Sequence, residues 1–184
     1  MTIYLLRHGQ SEGNLASLFS GVSDHALTAL GREQALEAGR QFGKHHFSRL
    51  FTSQLSRAIE TAELFLQASD STADAREARA ELNERNFGVF EGRKELKEGW
   101  AEGDPSWHVS RNVDFVPEGG ESMLDVHARA IAFLDDVTAG KNGDILIVAH
   151  GNVLRSMALH TLGWSVDMLP EMPSRNCLIT RLRT

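Results

Sequence analysis

Apolar positions along the chain alternate between short unbroken runs and longer stripes of helical spacing. Ile3-Tyr4-Leu5-Leu6 is a short run that predicts a buried strand, and it ends at Arg7-His8-Gly9. The stretch from Gly9 to Ala26 is small and polar, with Gly13, Asn14, Ser20, Gly21 and Ser23, and reads as loop or broken turns. Thr28 suits a helix N-cap, followed by Ala35, Ala38, Gly39 and Phe42 on one helical face. Arg49-Leu50-Phe51-Thr52 predicts a second strand that delivers Ser53. A helix begins near Leu55, with Ala58, Thr61, Ala62 and Phe65 inside.

The middle of the chain is less regular. Residues Asp70–Ala80 are polar and Ala-rich and fit either a loop or a frayed helix. Glu81-Leu82-Asn83-Glu84-Arg85 precedes Phe87-Gly88-Val89-Phe90-Glu91-Gly92, which reads as an irregular segment around a functional acid. Arg93–Gly103 is expected to be a surface helix, and Asp104–Val116 fits no single element. Trp100 and Trp107 read as anchors of this segment's own small core. Pro117-Glu118-Gly119-Gly120-Glu121 is turn chemistry. Ser122 and Asp125 then open a helix to about Thr138 whose core side is Val126, Ala130, Phe133, Leu134 and Val137. After the turn Asn142-Gly143-Asp144 comes Ile145-Leu146-Ile147-Val148-Ala149, apolar throughout, as in a central parallel strand. His150-Gly151-Asn152 leads into a helix with Leu154, Met157, Ala158, Thr161 and Leu162 inside and Gly163 as its stop. Cys177-Leu178-Ile179-Thr180 predicts the last strand. Strands alternating with helices specify an α/β fold, with a largely parallel sheet covered by helices on both faces.

Composition narrows the function. A length of 184 residues suits a single domain, here residues 1–184. The 19 Lys+Arg against 25 Asp+Glu give a net charge of −6, without a basic run, so nucleic acid is not an expected partner. The single cysteine, Cys177, excludes an intramolecular disulfide and leaves no cysteine pair for a metal. The apolar run at Met1–Arg7 is too short for a signal peptide. No segment approaches the ~20 apolar residues of a membrane span. A cytoplasmic protein without membrane contact is therefore expected.

Two strands end alike, in Arg7-His8-Gly9 and in Ala149-His150-Gly151. Ligands of open α/β sheets gather at the carboxyl ends of strands, and glycine after each histidine permits a sharp turn and close approach. Leu6-Arg7-His8-Gly9-Gln10-Ser11-Glu12-Gly13-Asn14 resembles the signature of the histidine phosphatase superfamily, which includes the phosphoglycerate mutases. Four further segments resemble that family in the same order: Thr52 to Ala62 with Arg57, Glu81 to Gly88 with Glu84, Glu118 to Ser122, and Ala149 to Asn152. The resemblance implies a three-layer α/β/α, phosphoglycerate mutase-like fold.

The resemblance also assigns roles that fit the chemistry of phosphate esters. Catalysis there needs an anion clamp, a nucleophile and an acid for the leaving oxygen. By resemblance the clamp is Arg7, Arg57 and His150, with arginine forks matching phosphate oxygens. His8 is the nucleophile, kept unprotonated by nearby arginines, and Glu84 protonates the leaving alkoxide and then deprotonates water. Asn14 is expected in the phosphate pocket, Gly151 beside it, and Ser20-Gly21 on the substrate side. Arginines and histidines already supply positive charge, so neither metal nor cofactor is expected. The expected partner is a small phosphorylated substrate, and a homodimer is left open.

Within the family the sequence favours a phosphatase. Cofactor-dependent mutases carry a basic insertion with paired arginines that grip a second anion. The segment Arg85 to Val116 has Arg85, Arg93, Lys94, Lys97 and Arg111 against six acids, and no adjacent arginine pair. Phosphoglycerate mutase remains the alternative enzyme. A non-catalytic phosphate-binding protein would lack His8 or Glu84, and minimal protein-phosphohistidine phosphatases lack much of residues 85–116.

Overall fold

A computed structural model describes residues 1–95, 105–140 and 143–183. Strand β1 (Thr2–Arg7) pairs in parallel with β4 (Ile145–Ala149), which pairs in parallel with β2 (His46–Thr52). Parallel β3 (Thr72–Ala78) and antiparallel β5 (Ile179–Arg183) form the edges, in the order β3-β2-β4-β1-β5. This is the mixed α/β fold with a mostly parallel sheet that the sequence specifies.

Alternation along the central strands builds both cores. Ile3, Leu5, Ile145, Ile147 and Ala149 face α5 (Met123–Thr138) and α6 (Gly151–Leu162), which present Val126, Phe133, Val153 and Met157. Tyr4, Leu6, Leu146 and Val148 face the opposite layer, where α2 (Ala29–Phe42) and α3 (Ser56–Ser69) supply Phe42, Ala58, Ala62 and Phe65. All five residues of β4 are buried. Each large apolar side chain there contributes on the order of 1.5–3 kcal/mol.

Local chemistry sets the element ends. Thr28 Oγ1 accepts from Gly31 N at 3.0 Å to start α2, and Ser122 and Asp125 form a reciprocal capping box on α5. The one-turn helix α1 (Glu12–Leu15) falls inside the expected loop, with Asn14 at N3 of a second capping box.

Several expectations are corrected. Residues 72–78 are neither loop nor frayed helix but the edge strand β3, mostly exposed and held by pairing with β2. A polar edge strand shows no hydrophobic alternation, because neither of its faces is deeply covered. Leu162 is 52% exposed and Thr161 is exposed as well, since α6 outruns the core in its last turn. The final strand starts at Ile179, because Cys177 sits at φ 54° and turns the chain first. Arg93 and Lys94 are not helical, and Lys94 bridges to Leu18. The rest of the expected surface helix, with Lys97 and Trp100, lies outside the described residues, and a helix α4 (Pro105–Arg111) follows. Trp107 is 44% exposed, so the segment's small core rests on Phe19, Phe90 and Val109, packed by Phe87 and Phe115. No helix among the described residues is long and apolar enough to cross a membrane.

Candidate active site

The carboxyl ends of β1 and β4 are adjacent in the sheet, which brings the two strand-end histidines together. Their rings stand 4.9 Å apart, and both are buried. His8 Nδ1 lies 2.7 Å from the Gly9 carbonyl, an oxygen that only accepts, so Nδ1 carries the proton and Nε2 keeps a bare lone pair. His150 has the same tautomer, fixed from its other nitrogen. Its Nε2 is 2.7 Å from Ser53 Oγ, and that oxygen also accepts from Leu55 N at 3.3 Å. Among the described residues Nε2 is the acceptor in reach of the Ser53 hydroxyl proton, so the hydroxyl donates to it and the proton of His150 sits on Nδ1. Burial, then the charges of Arg7 and Arg57, push the His8 imidazole well below the ordinary 6.5. Burial also pushes His150 well down, helped by His8, Arg57 and Arg7.

Arg57 is buried at 1% exposure on the first turn of α3. Its Nη1 donates to Ser23 O at 2.9 Å, and Nη2 to Gly21 O at 2.7 Å and Ser20 O at 3.3 Å. The loop supplying those carbonyls is itself tied to Glu91. That carboxylate accepts from Gly21 N at 3.2 Å, Val22 N at 3.1 Å, Ser23 N at 3.3 Å and Ser23 Oγ at 2.5 Å. It also accepts from Phe87 N at 3.0 Å. Arg7 Nη1 donates to the Ser174 carbonyl. Desolvation is the largest influence on both arginines and lowers their pKa values.

Glu84 is held at both oxygens. Oε1 accepts from Arg85 N at 2.8 Å, and Oε2 from Asn152 N at 3.3 Å in the first turn of α6. Asn14 Oδ1 accepts from Ser11 N and from Asn176 Nδ2, each at 3.2 Å, so its own amide nitrogen is the end left for a ligand. Gly9 is required for a different reason than ligand approach. A Cβ there would run into the Gly31 carbonyl, so the glycine lets the β1 loop pack against α2.

Arg7, His8, Asn14, Ser20, Glu84 and Gly151 line one pocket of about 450 Å³. Arg57 and His150 are not in its wall but pack around His8, where their effects meet. Gly21 is not in the wall either. A Cβ there would strike the Arg85 carbonyl, and the residue serves the site through its backbone, as a carbonyl for Arg57. Asn152, Arg155, Ser174, Asn176 and Glu95 also line the pocket and were not anticipated. Arg155 had a signal in the sequence: it follows Gly151 by four residues on the helix after His150, hence on the same face. Three buried polar atoms here have no protein partner, namely Arg7 Nε, Ser20 Oγ and His150 Nδ1. Orphaned buried donors cost about 1–3 kcal/mol each, and an anion with several oxygens would satisfy them together. Among the described residues no group of three or more His, Cys, Asp or Glu side chains could hold a metal ion.

Comparison with known proteins agrees with this arrangement. A curated 2,3-bisphosphoglycerate-dependent phosphoglycerate mutase of Cytophaga hutchinsonii is 39% identical over 166 residues, which is 86% of this chain and 76% of the relative. Among solved structures, a mycobacterial glucosyl-3-phosphoglycerate phosphatase superposes with TM-score 0.81 at 25% identity, covering 98% of this chain and 88% of that one. The alpha-ribazole phosphatase of Shigella flexneri superposes with TM-score 0.82 at 25% identity, covering 98% and 89%. The profile of the histidine phosphatase superfamily (branch 1) matches residues 3–184, and the chain belongs to that superfamily of enzymes.

Proposed function

We propose that the chain is a phosphomonoesterase that releases inorganic phosphate from small phosphorylated metabolites. The lone pair on His8 Nε2 attacks phosphorus while the bond to the leaving oxygen breaks, and Glu84 gives that oxygen its proton. Glu84 then takes a proton from water as the water oxygen attacks the phosphohistidine, which frees phosphate and restores His8. Arg7, Arg57 and the His150 Nδ1–H hold the equatorial oxygens, with Asn14 at the pocket wall.

Hydrolysis is favoured over transfer by one observation: Arg85, Arg93 and Arg111, the described arginines of the segment 85–116, stand outside the wall of the pocket around His8. Arg85 donates to the carbonyls of Glu121, Val109 and Phe115 at 2.7, 2.6 and 2.8 Å. Arg93 lies over the Phe90 ring at 5.1 Å, and Arg111 pairs with Glu171 at 2.8 Å. Arg155 reaches the pocket, but it donates to Gly151 O, Met172 O and Asn152 Oδ1 at 3.2, 3.3 and 2.7 Å, and Glu95 shares the wall. A mutase must grip a carboxylate as well as a phosphate while excluding water.

The mutase reading is favoured by the names of relatives at 37–39% identity. The test supplies 3-phosphoglycerate with and without 2,3-bisphosphoglycerate and follows isomerisation and phosphate release together, beside a panel of other phosphorylated metabolites. Phosphate release outrunning isomerisation supports the phosphatase. Isomerisation much faster than release refutes it.

A further inference from the structure

The turn that leads into β5 grips the end of β1 at several points. Arg7 N donates to Leu178 O at 3.2 Å, and Cys177 N donates to Arg7 O at 3.1 Å. The Arg7 guanidinium donates to Ser174 O. A bond from Leu178 N to Arg175 O at 3.2 Å closes the turn, and Cys177 inside it sits at φ 54°. That left-handed conformation is uncommon for a residue with a side chain, and it persists where surrounding contacts impose it, as the bonds to Arg7 do here. The residue before it, Asn176, reaches His8 and Asn14 with one amide nitrogen.

Asn176 Nδ2 stands 2.9 Å from the His8 carbonyl and 3.2 Å from Asn14 Oδ1. The chemistry of these neighbours orients both amides. A carbonyl oxygen only accepts, so the end of Asn176 facing His8 is its NH₂, whose second hydrogen goes to Asn14. Independently, Ser11 N lies 3.2 Å from the same Asn14 oxygen and only donates. Both neighbours therefore demand oxygen at that end of Asn14 and leave its NH₂ for the pocket that Asn14 lines with Arg7 and His8. An inverted Asn14 would present an oxygen to an incoming anion and repel it. Without Asn176, the Ser11 amide alone would oppose that inversion.

We infer that Asn176 is a positioning residue for phosphate binding, which holds the Asn14 amide with its nitrogen free for the bound anion. This role rests on the proposed reading of the pocket as a phosphate site, but not on whether the phosphoryl group is hydrolysed or transferred. It makes the turn before the last strand part of the anion site.

Inorganic phosphate is titrated into nitrogen-15-labelled protein and followed by magnetic resonance of the side-chain amides, the Asn14 signal being assigned by its loss in Asn14→Ala. In the unaltered protein that signal shifts as phosphate binds. Asn176→Leu keeps the volume but removes the donor, and should weaken phosphate binding about 10-fold, the effect of one hydrogen bond to an anion. The Asn14 signal should then shift much less at saturation. Added to Asn14→Ala, the same change should cost less than about 3-fold, because the two side chains act as one unit. Backbone signals of β5 report that each variant is folded. Asn176→Leu binding phosphate within twofold of the unaltered protein overturns the inference, since filling space would then be all the residue does. A loss of equal size with and without the Asn14 amide overturns it as well. If phosphate binds through both asparagines but no ester of the substrate panel is hydrolysed, the positioning role stands and the phosphatase reading falls. If esters are hydrolysed while Asn176→Leu has no effect, the positioning role falls alone. Failure of the unaltered protein to bind phosphate overturns both.

Discussion

Glu91 never lines the phosphate pocket, yet the position of Arg57 depends on it. The carboxylate gathers the amides of Gly21, Val22 and Ser23, and the carbonyls of Ser20, Gly21 and Ser23 hold the Arg57 guanidinium. In Glu91→Gln one oxygen becomes an NH₂ group facing N–H donors. If Oε2 is the atom replaced, Gly21 N, Ser23 N and Ser23 Oγ lose their acceptor. If Oε1 is replaced, Val22 N and Phe87 N do. Hydrogen bonds to a charged group are worth about 1.5–3 kcal/mol, and the exposed amide of Val22 recovers water, so the net loss is on the order of 2–4 kcal/mol. For a chain of this length each kcal/mol moves Tm by about 2–4 °C, which gives a fall of roughly 5–15 °C.

Activity distinguishes positioning from simple loop anchoring. A clamp displaced by about 1 Å costs on the order of 10²-fold, so kcat/KM should drop 10- to 100-fold at temperatures well below the new Tm. The inhibition constant for vanadate, read on the same folded protein, should rise in parallel. Glu91→Asp keeps the charge and should recover part of both. If Glu91→Gln lowers Tm while kcat/KM and vanadate inhibition stay within twofold of the unaltered protein, Glu91 anchors the loop only and the coupling to Arg57 is refuted.

Four further outcomes are expected. Brief incubation with labelled substrate traps an acid-labile, alkali-stable phosphoprotein, and equal labelling of His8→Ala removes His8 as nucleophile. Glu84→Gln slows esters of poor leaving groups by about 10²–10⁴-fold and p-nitrophenyl phosphate much less, whereas equal losses assign Glu84 a structural role. His8 and His150 are both held neutral in the fold, so stability is complete above the ordinary value of 6.5 and falls as pH drops below it. The unfolded chain then binds up to two more protons, a slope of up to about 2.7 kcal/mol per pH unit, and a flat urea midpoint between pH 6.5 and 5 contradicts this. Arg85→Met strips three carbonyls, that of Val109 fully buried, of their donor and should cost about 3–5 kcal/mol, read as a lower urea midpoint. A change under 1 kcal/mol would show that the arginine is dispensable.

What the sequence made legible follows from how each signal arises. Ile145–Ala149 is buried on both faces and shows as an unbroken apolar run, so the sheet centre and the strand-end histidines were readable. Strand β3 was not, because its place at the sheet edge is set by hydrogen bonds to β2, which leave no mark in side-chain polarity. Arg85 reads as one charge among several on the chain. Only the fold shows it fully buried on three carbonyls and pushed down to about 10 by desolvation. Ser20 and Gly21 illustrate a third case: their position near the site was legible, but their service to Arg57 runs through backbone oxygens, to which side-chain chemistry is blind.

The way the clamp arginines are held explains how His8 stays a nucleophile. Elsewhere in the molecule arginines lie against carboxylates, as Arg32 does with Glu60 at 2.6 Å, Arg40 with Glu33 and Glu37, and Arg129 with Glu121 at 3.0 Å. Such a partner orients the fork but cancels its field. Arg57 is oriented by three carbonyls, and the Asp24 carboxylate stands off at 3.9 Å. Carbonyl dipoles fix the guanidinium without neutralising it, so its charge still reaches the two imidazoles. There it does two things at once. It adds to burial and to the charge of Arg7 in keeping His8 unprotonated, and it leaves a positive field beside donors that have no acceptor. Both conditions are relieved by a phosphate group bound in line with Nε2. The same unneutralised charge that prepares the nucleophile therefore also recruits the electrophile.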